Sequence, residues 1–264
     1  MDGGWHAAFA EALAALETPR FAPTLVRALD RVAVFDFCVA FAYRGEARPL
    51  CLFENFGPAR RDIFVGLYQA GPYLLDPFYH ASRGGVAPGL HRMRSLAPDR
   101  FYQSEYYRSY YRQTGLAEEI GFFLWPGAPF SIVISLMRDG HRSAFAAAEI
   151  RRLQAVAPVV LAAGARHWQG LAQEPRPAEP APALPSGMDL AALFDGVGDR
   201  RLTRRECEVA ALVLRGHSSE AIARQLRIAA GTVKIHRKNL YAKLGIASQA
   251  ALFSLFLSAI PGRG

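Results

Sequence analysis

Gly231, Lys234, Ile235 and Lys238 stand at i, i+3, i+4 and i+7, the spacing that sets four residues on one face of a helix. Two ammonium groups, an aliphatic side chain and a glycine that lets a backbone come close form a stripe suited to the major groove of duplex DNA. Thr232 and Arg237 flank the stripe, and with Lys243 they can hold phosphates, which position a helix without reading sequence. Val233, His236, Leu240 and Leu244 recur at +3, +7 and +11 and read as the opposite, core-facing side, with His236 a core histidine rather than a ligand.

A second group of chemistry-bearing residues lies far upstream. Asp76 follows Phe64, Tyr68 and Tyr73 and precedes Pro77-Phe78-Tyr79. A carboxylate among aromatic rings can accept from an amide or hold a cation, so Phe64, Tyr68, Tyr73 and Asp76 are candidate ligand-binding residues. Asp76 reads equally well as the cap of a turn before Pro77. The aromatic-dense stretch Phe101–Tyr111 reads first as core packing or a subunit contact. His80 and His91 have no second ligand at metal spacing, and Cys38, Cys51 and Cys207 form no CxxC pair. Reduced thiols are expected, without a disulfide framework or a metal site. No phosphate-binding loop, GxSxG or HExxH is present, and Gly84-Gly85 lacks the strand–loop–helix context of a phosphate loop. The expectation is a protein that is not an enzyme, with no catalytic residues, no cofactor and no metal.

The elements that carry these groups follow from charge and periodicity. From Arg200 onward there are 12 of the 31 Lys/Arg residues and only 3 of the 23 Asp/Glu residues. The basic excess therefore sits in the last quarter of the chain, the footprint of a nucleic-acid-binding module on a near-neutral body. Gln173–Gly187 is proline-rich and cannot form a helix or a central strand. It divides the sequence into a body of residues 1–172, a linker of 173–187 and a module of 188–264. The N-terminus lacks the basic start of a secretory signal, and no apolar run approaches the ~20 residues that span a bilayer, so a cytoplasmic protein without a membrane partner is expected.

In the body the spacing predicts helices over Trp5–Glu17 and Thr24–Val34, then a hairpin of Phe35–Tyr43 and Pro49–Phe56 around Gly45. Further helical or turn segments are expected at Asp62–Ala70 and Pro72–Ser82, a strand at Leu90–Leu96 and one helix across Pro98–Gln113. Glu119–Trp125 and Phe130–Arg138 form a second strand pair, and Phe145–Leu171 a long helix. That order predicts an α+β chain: an antiparallel sheet with helices on its faces, a PAS- or GAF-like sensor sandwich, followed by an all-α four-helix module. In the module, Thr203 and Glu206 form a capping box, Gly216 ends the first helix, and Ser218 caps the second. Ser248–Ile260 is a fourth, strongly apolar helix.

The run LTRRECEVAALVLRGHSSEAIARQLRIAAGTVKIHRKNLYAKLGIAS resembles the LuxR/NarL-type helix-turn-helix family. The likeness rests on Leu202-Thr203-x-x-Glu206, Val209, Leu212 to Gly216, Ser218 with Ile222-Ala223, Gly231-Thr232-Val233-Lys234-x-His236, and Tyr241-x-Lys243-Leu244-Gly245. It implies that Lys234, Ile235 and Lys238 face the groove, that Thr232 and Arg237 lie near phosphates, and that the fourth helix serves a homodimer. It also implies double-stranded DNA as a partner, and RNA polymerase as a further one. Ala229-Ala230 departs from the serine cap the family often carries before its recognition helix.

The body contains no lysine, which disfavours a phosphorelay receiver. It resembles the autoinducer-binding domain of quorum-sensing LuxR proteins, through Phe64 and Tyr68 ahead of Asp76-Pro77 and through Gly121 with Trp125-Pro126. By that resemblance Asp76 would accept from a ligand amide while aromatic side chains wall the rest. Phe64 stands where the family has a tryptophan, and Leu90–Leu96 contains none. The effector is thus an acyl-homoserine lactone or a different small molecule, as in a solo regulator. The alternative is a body that binds a partner protein.

Overall fold

The computed structural model describes residues 4–45, 47–172 and 202–259. The expected linker 173–187 and Ile260 lie outside the described residues. The chain forms two compact units, each discontinuous in sequence. The first takes the described residues of Met1–Val65, Phe78–Leu96 and Gly115–Pro180; the second takes those of Gly66–Pro77, Ala97–Thr114 and Ala181–Gly264.

The first unit is built on a five-stranded sheet ordered β2-β1-β5-β4-β3. Its strands are β1 (Phe37–Arg44), β2 (Leu50–Glu54), β3 (Gly89–Arg92), β4 (Leu116–Gly127) and β5 (Phe130–Asp139). Every pairing is antiparallel, as the two expected strand pairs require. The helices α1 (Gly4–Ala14), α2 (Phe21–Val32) and α7 (Ala147–His167) supply one hydrophobic layer. Phe21, Leu25 and Leu29 of α2 and Leu153 and Val160 of α7 join Cys38, Ala40 and Ala42 of β1, Ile120 and Phe122 of β4, and Ile132, Ile134 and Leu136 of β5 in a single buried cluster. The period-2 alternation of the strands selects those residues for one face.

The alternate residues are buried too: Val39, Phe41 and Tyr43, Phe123, and Val133, with the polar Ser131 and Ser135 among them. Rings from α4 (Pro77–Arg83) lie against this second set, with Phe78 5.1 Å from Phe123 and Tyr79 5.5 Å from Tyr43. Gly121 is where the backbone must yield to that packing. A Cβ there would stand 2.8 Å from Phe78 and 2.9 Å from Val133. Two ion pairs brace the edges of the layer: Arg138 with Glu149 at 2.7 Å and Arg92 with Glu118 at 2.5 Å.

The fold class agrees with the sequence reading, and two segments differ from it. Leu90–Leu96 is strand only through Arg92 and turns into the short helix α5 (Met93–Leu96). Pro98–Gln113 is not one helix but a 3-10 turn (Phe101–Gln103), the short helix α6 (Glu105–Ser109) and another 3-10 turn (Tyr111–Thr114). The cause is Ser104. Its backbone is extended (φ −70°, ψ 155°), and its hydroxyl accepts from Tyr107 N and donates to the Phe101 carbonyl, so one turn ends and the next begins on the same side chain. Around residue 62 the helix α3 (Pro58–Arg61) continues into a π-helical turn, Asp62–Leu67. Among the described residues no single helix is long and apolar enough to cross a membrane.

Candidate functional site

The second unit holds the helices α8 (Arg204–Arg215), α9 (Ser219–Leu226), α10 (Ala230–Leu244) and α11 (Gln249–Ala259), and the basic stripe lies on α10. Their ends are where the sequence puts the stop and start signals. Thr203 Oγ1 accepts from Glu206 N, and the Glu206 carboxylate accepts from Thr203 N at 2.7 Å, closing the capping box. Gly216 ends α8 in the left-handed region (φ +94°), where a side chain would be strained. The hydroxyl of Ser218 then caps α9 by accepting from Ala221 N. Ser248 does the same for α11 through Ala251 N, and the Gln249 amide donates to the Val213 carbonyl in the last turn of α8.

Helix α10 begins two residues before Thr232, and its cap residue Ala229 makes no side-chain hydrogen bond. Val233 and Leu240 are fully buried and Leu244 nearly so, whereas His236 is only half-buried. Gly231, Lys234, Ile235 and Lys238 are all exposed, and Ile235 keeps 59% of its surface in water. A β-branched aliphatic held that far into solvent among charges has no packing reason of its own. Among the described residues neither Lys234 nor Lys238 has an ion-pair partner, so both charges are available to an outside anion. Thr232 is half-buried at the helix start. Arg237 lies over the Tyr241 ring at 5.9 Å and donates to its hydroxyl at 3.4 Å, which fixes the guanidinium beside the stripe.

Lys243 behaves otherwise than the sequence implies. Its ammonium sits 2.7 Å from the carboxylate of Glu206, whose side chain is 4% exposed. Burial pushes the Glu206 carboxyl up, but the bonds from Lys243 and Thr203 outweigh it and hold the group below the ordinary carboxylate range. Lys243 therefore ties α10 to the start of α8 instead of standing free for a phosphate. The only sequence signal for this was Glu206 itself, a capping carboxylate with acceptor capacity to spare.

Of the upstream residues, the second unit brings together Tyr68, Tyr73 and Asp76. The Tyr68 hydroxyl donates to the Asp76 carboxylate at 2.5 Å, and the Tyr68 and Tyr73 rings are 6.2 Å apart. All three are buried, Tyr73 completely. Asp76 does occupy the end of a 3-10 turn (Pro72–Leu75), as its capping reading expects, while its side chain faces the tyrosine. Phe64 belongs to the first unit, where it stacks on Phe56 at 4.6 Å. Sequence reasoning left out Tyr110, whose ring lies 6.4 Å from Tyr68 and which the aromatic density of its segment had assigned to packing.

A four-helix module with a capped entry, an internally tied third helix and one exposed basic stripe defines a helix-turn-helix DNA-binding class. Residues 200–256 match the family described as bacterial regulatory proteins, luxR family. A chain of Aeromonas salmonicida named as an HTH-type transcriptional regulator in the exeN 3′ region is 39% identical over 188 residues, which cover 69% of this chain and 93% of that one. The protein belongs to the LuxR family of bacterial transcriptional regulators. Among solved structures, the VqsR LBD domain from Pseudomonas aeruginosa is 27% identical with a TM-score of 0.55, covering 63% of this chain and 98% of that one. Escherichia coli SdiA is also similar, at 17% identity and a TM-score of 0.46 over 97% of both chains.

Proposed function

We propose that this LuxR-type regulator is a cytoplasmic homodimer that reads an operator with Lys234, Ile235 and Lys238, anchors on phosphates with Thr232 and Arg237, and responds to a small-molecule effector. Along the sequence, residues 1–172 serve the effector, 173–187 link, and 188–264 bind DNA. One observation carries the DNA reading: the stripe Gly231, Lys234, Ile235 and Lys238 is exposed, and its two ammonium groups have no ion-pair partner among the described residues. Gly231 leaves the start of the helix bare for close approach to the duplex. Two modules related by a dyad would meet half-sites about one helical turn apart, roughly 10 bp. RNA polymerase is the natural further partner of such a dimer.

The effector reading is supported by the buried Asp76–Tyr68 pair and by the likeness to a domain designated LBD. A buried carboxylate has acceptor capacity to spare, so it can accept from a ligand amide beside the Tyr68 hydroxyl, or in its place where the ligand also supplies an acceptor for that hydroxyl. The resemblance to the autoinducer-binding domain names Phe64, Tyr68 and Asp76 as residues to test, and the aromatic surroundings of Asp76 add Tyr73.

Two measurements test the reading. Mapping DNA occupancy in the host genome should give a few sharp, dyad-symmetric sites, and Lys234→Ala with Lys238→Ala should erase them while the fold stays intact. Normal occupancy by that double variant would refute the assignment of the stripe. Native mass spectrometry of the full chain purified from its host should show a small molecule whose yield drops in Asp76→Asn. An effector-free spectrum under inducing conditions would turn the reading toward a protein partner.

A further inference from the structure

The turn between α8 and α9 is held from outside the helix-turn-helix, by residues 99–104 of the same compact unit. Ser218 N donates to the Asp99 carboxylate at 3.0 Å, and Arg100 N donates to the Gly216 carbonyl at 2.9 Å. The fit is tight. A Cβ on Gly216 would stand 2.9 Å from Phe101 Cα and 3.1 Å from Ser104 Cβ. Just beyond, α6 packs on α8 and α11. Burial pushes the Asp99 carboxyl up, but the side chain and backbone of Ser218 and the nearby His217 outweigh it and hold the group below the usual carboxylate range. The carboxylate that pins the turn thus stays charged at neutral pH.

Behind this contact runs an unbroken series of aromatic rings. Phe101 is 5.9 Å from Tyr106, Tyr106 is 5.3 Å from Tyr110, and Tyr110 is 6.4 Å from Tyr68, whose hydroxyl holds Asp76. Each separation lies within the range in which aromatic pairs interact directly. The series begins two residues after Asp99, whose carboxylate pins the turn, and ends on Tyr68, which holds the group that the effector reading assigns to the ligand. Packed rings of this kind shift between discrete arrangements and do not deform smoothly.

We propose that residues Asp99–Tyr110 form a latch that couples the Tyr68–Asp76 pair to the Gly216–Ser218 turn, so that whatever takes Asp76 from Tyr68 releases the turn. The latched form has Asp76 engaged by Tyr68 and Ser218 engaged by Asp99 at once; a ligand donor that displaces the Tyr68 hydroxyl favours the unlatched population. The proposal rests on the effector reading for its trigger, while the latch itself stands on contacts within the chain.

Amide hydrogen exchange of the full chain without any added ligand tests it. Asp99 is exposed, so Asp99→Ala removes the acceptor without a core defect, and exchange at Ser218 N is expected to rise about tenfold. Tyr68→Phe keeps the ring but removes the hydroxyl that donates to Asp76, and Tyr110→Leu breaks the series of rings. Both should raise exchange at Ser218 and Arg100 N, leave Leu240 N unchanged, and add little on top of Asp99→Ala. Unchanged exchange at Ser218 in Asp99→Ala overturns the docked turn. A rise in Asp99→Ala alone, with Tyr68→Phe and Tyr110→Leu silent, overturns the coupling. Coupling in all three variants, alongside an effector-free native mass spectrum, leaves the latch standing and overturns only the effector reading.

Discussion

Replacing Lys243 by alanine separates two roles that a basic residue on a recognition helix can have. In this chain its ammonium is 2.7 Å from Glu206, and the Glu206 side chain is 4% exposed. The substitution deletes a charge-assisted hydrogen bond to a buried carboxylate that, among the described residues, keeps its bonds within the capping box, so the expected loss of stability is about 2 kcal/mol. Arg237 has the opposite profile: its partner is a neutral tyrosine and its charge faces outward. Removing it should cost little stability and flatten the dependence of log Kobs on log[salt] by about 0.9, one phosphate contact. The assays are urea unfolding followed by far-UV circular dichroism, and operator binding between roughly 50 and 200 mM salt. Acid adds a further check. Glu206 is held below its ordinary value of 4.5, so its contribution is complete above that pH and is lost as pH falls through the depressed folded value. Wild type and Lys243→Ala should therefore converge in stability only in that acid range. A Lys243→Ala variant of unchanged stability whose salt slope falls by about one would put Lys243 on a phosphate and refute the reasoning.

Two further outcomes are expected. Ala229 caps α10 without a side-chain hydrogen bond, so Ala229→Ser should add the missing acceptor and raise the urea midpoint by the equivalent of about 1 kcal/mol. Gly121→Ala forces a methyl to 2.8 Å from Phe78 and 2.9 Å from Val133, and calorimetry should show a loss of about 1–3 kcal/mol.

The helix-turn-helix was legible because its signals are local. Thr203 and Glu206 are three residues apart, Gly216 follows the last apolar position of α8, and Ser218 opens α9; each needs only its own neighbours to act. The strands β1, β2, β4 and β5 were legible for the same reason, as β-branched and aromatic runs bounded by turns. The stretch 98–113 was not. Its period looks helical, and the competition of the Ser104 hydroxyl for nearby backbone groups breaks it into three short turns, with Phe101 packed beside both Tyr106 and Tyr111. Periodicity counts apolar positions and is blind to a side chain that caps from within.

The candidate sites divide along the same line. Which face of α10 is outward follows from spacing, so Lys234, Ile235 and Lys238 could be named from the sequence. Which lysine is free does not follow, because the partner of Lys243 is 37 residues away on another helix. Asp76 is a milder case, since Tyr68 lies only 8 residues before it, yet nothing in the spacing says that the hydroxyl turns inward. Asp99 is the extreme one: an exposed acid in a surface stretch, with its acceptor oxygen on an amide 119 residues later. Long-range polar pairs depend on how elements pack, and packing is set by the apolar residues around them rather than by the polar pair itself. The residues proposed to read DNA are therefore visible in the sequence of a regulator like this one, while the residues proposed to control it emerge only once the packing is known.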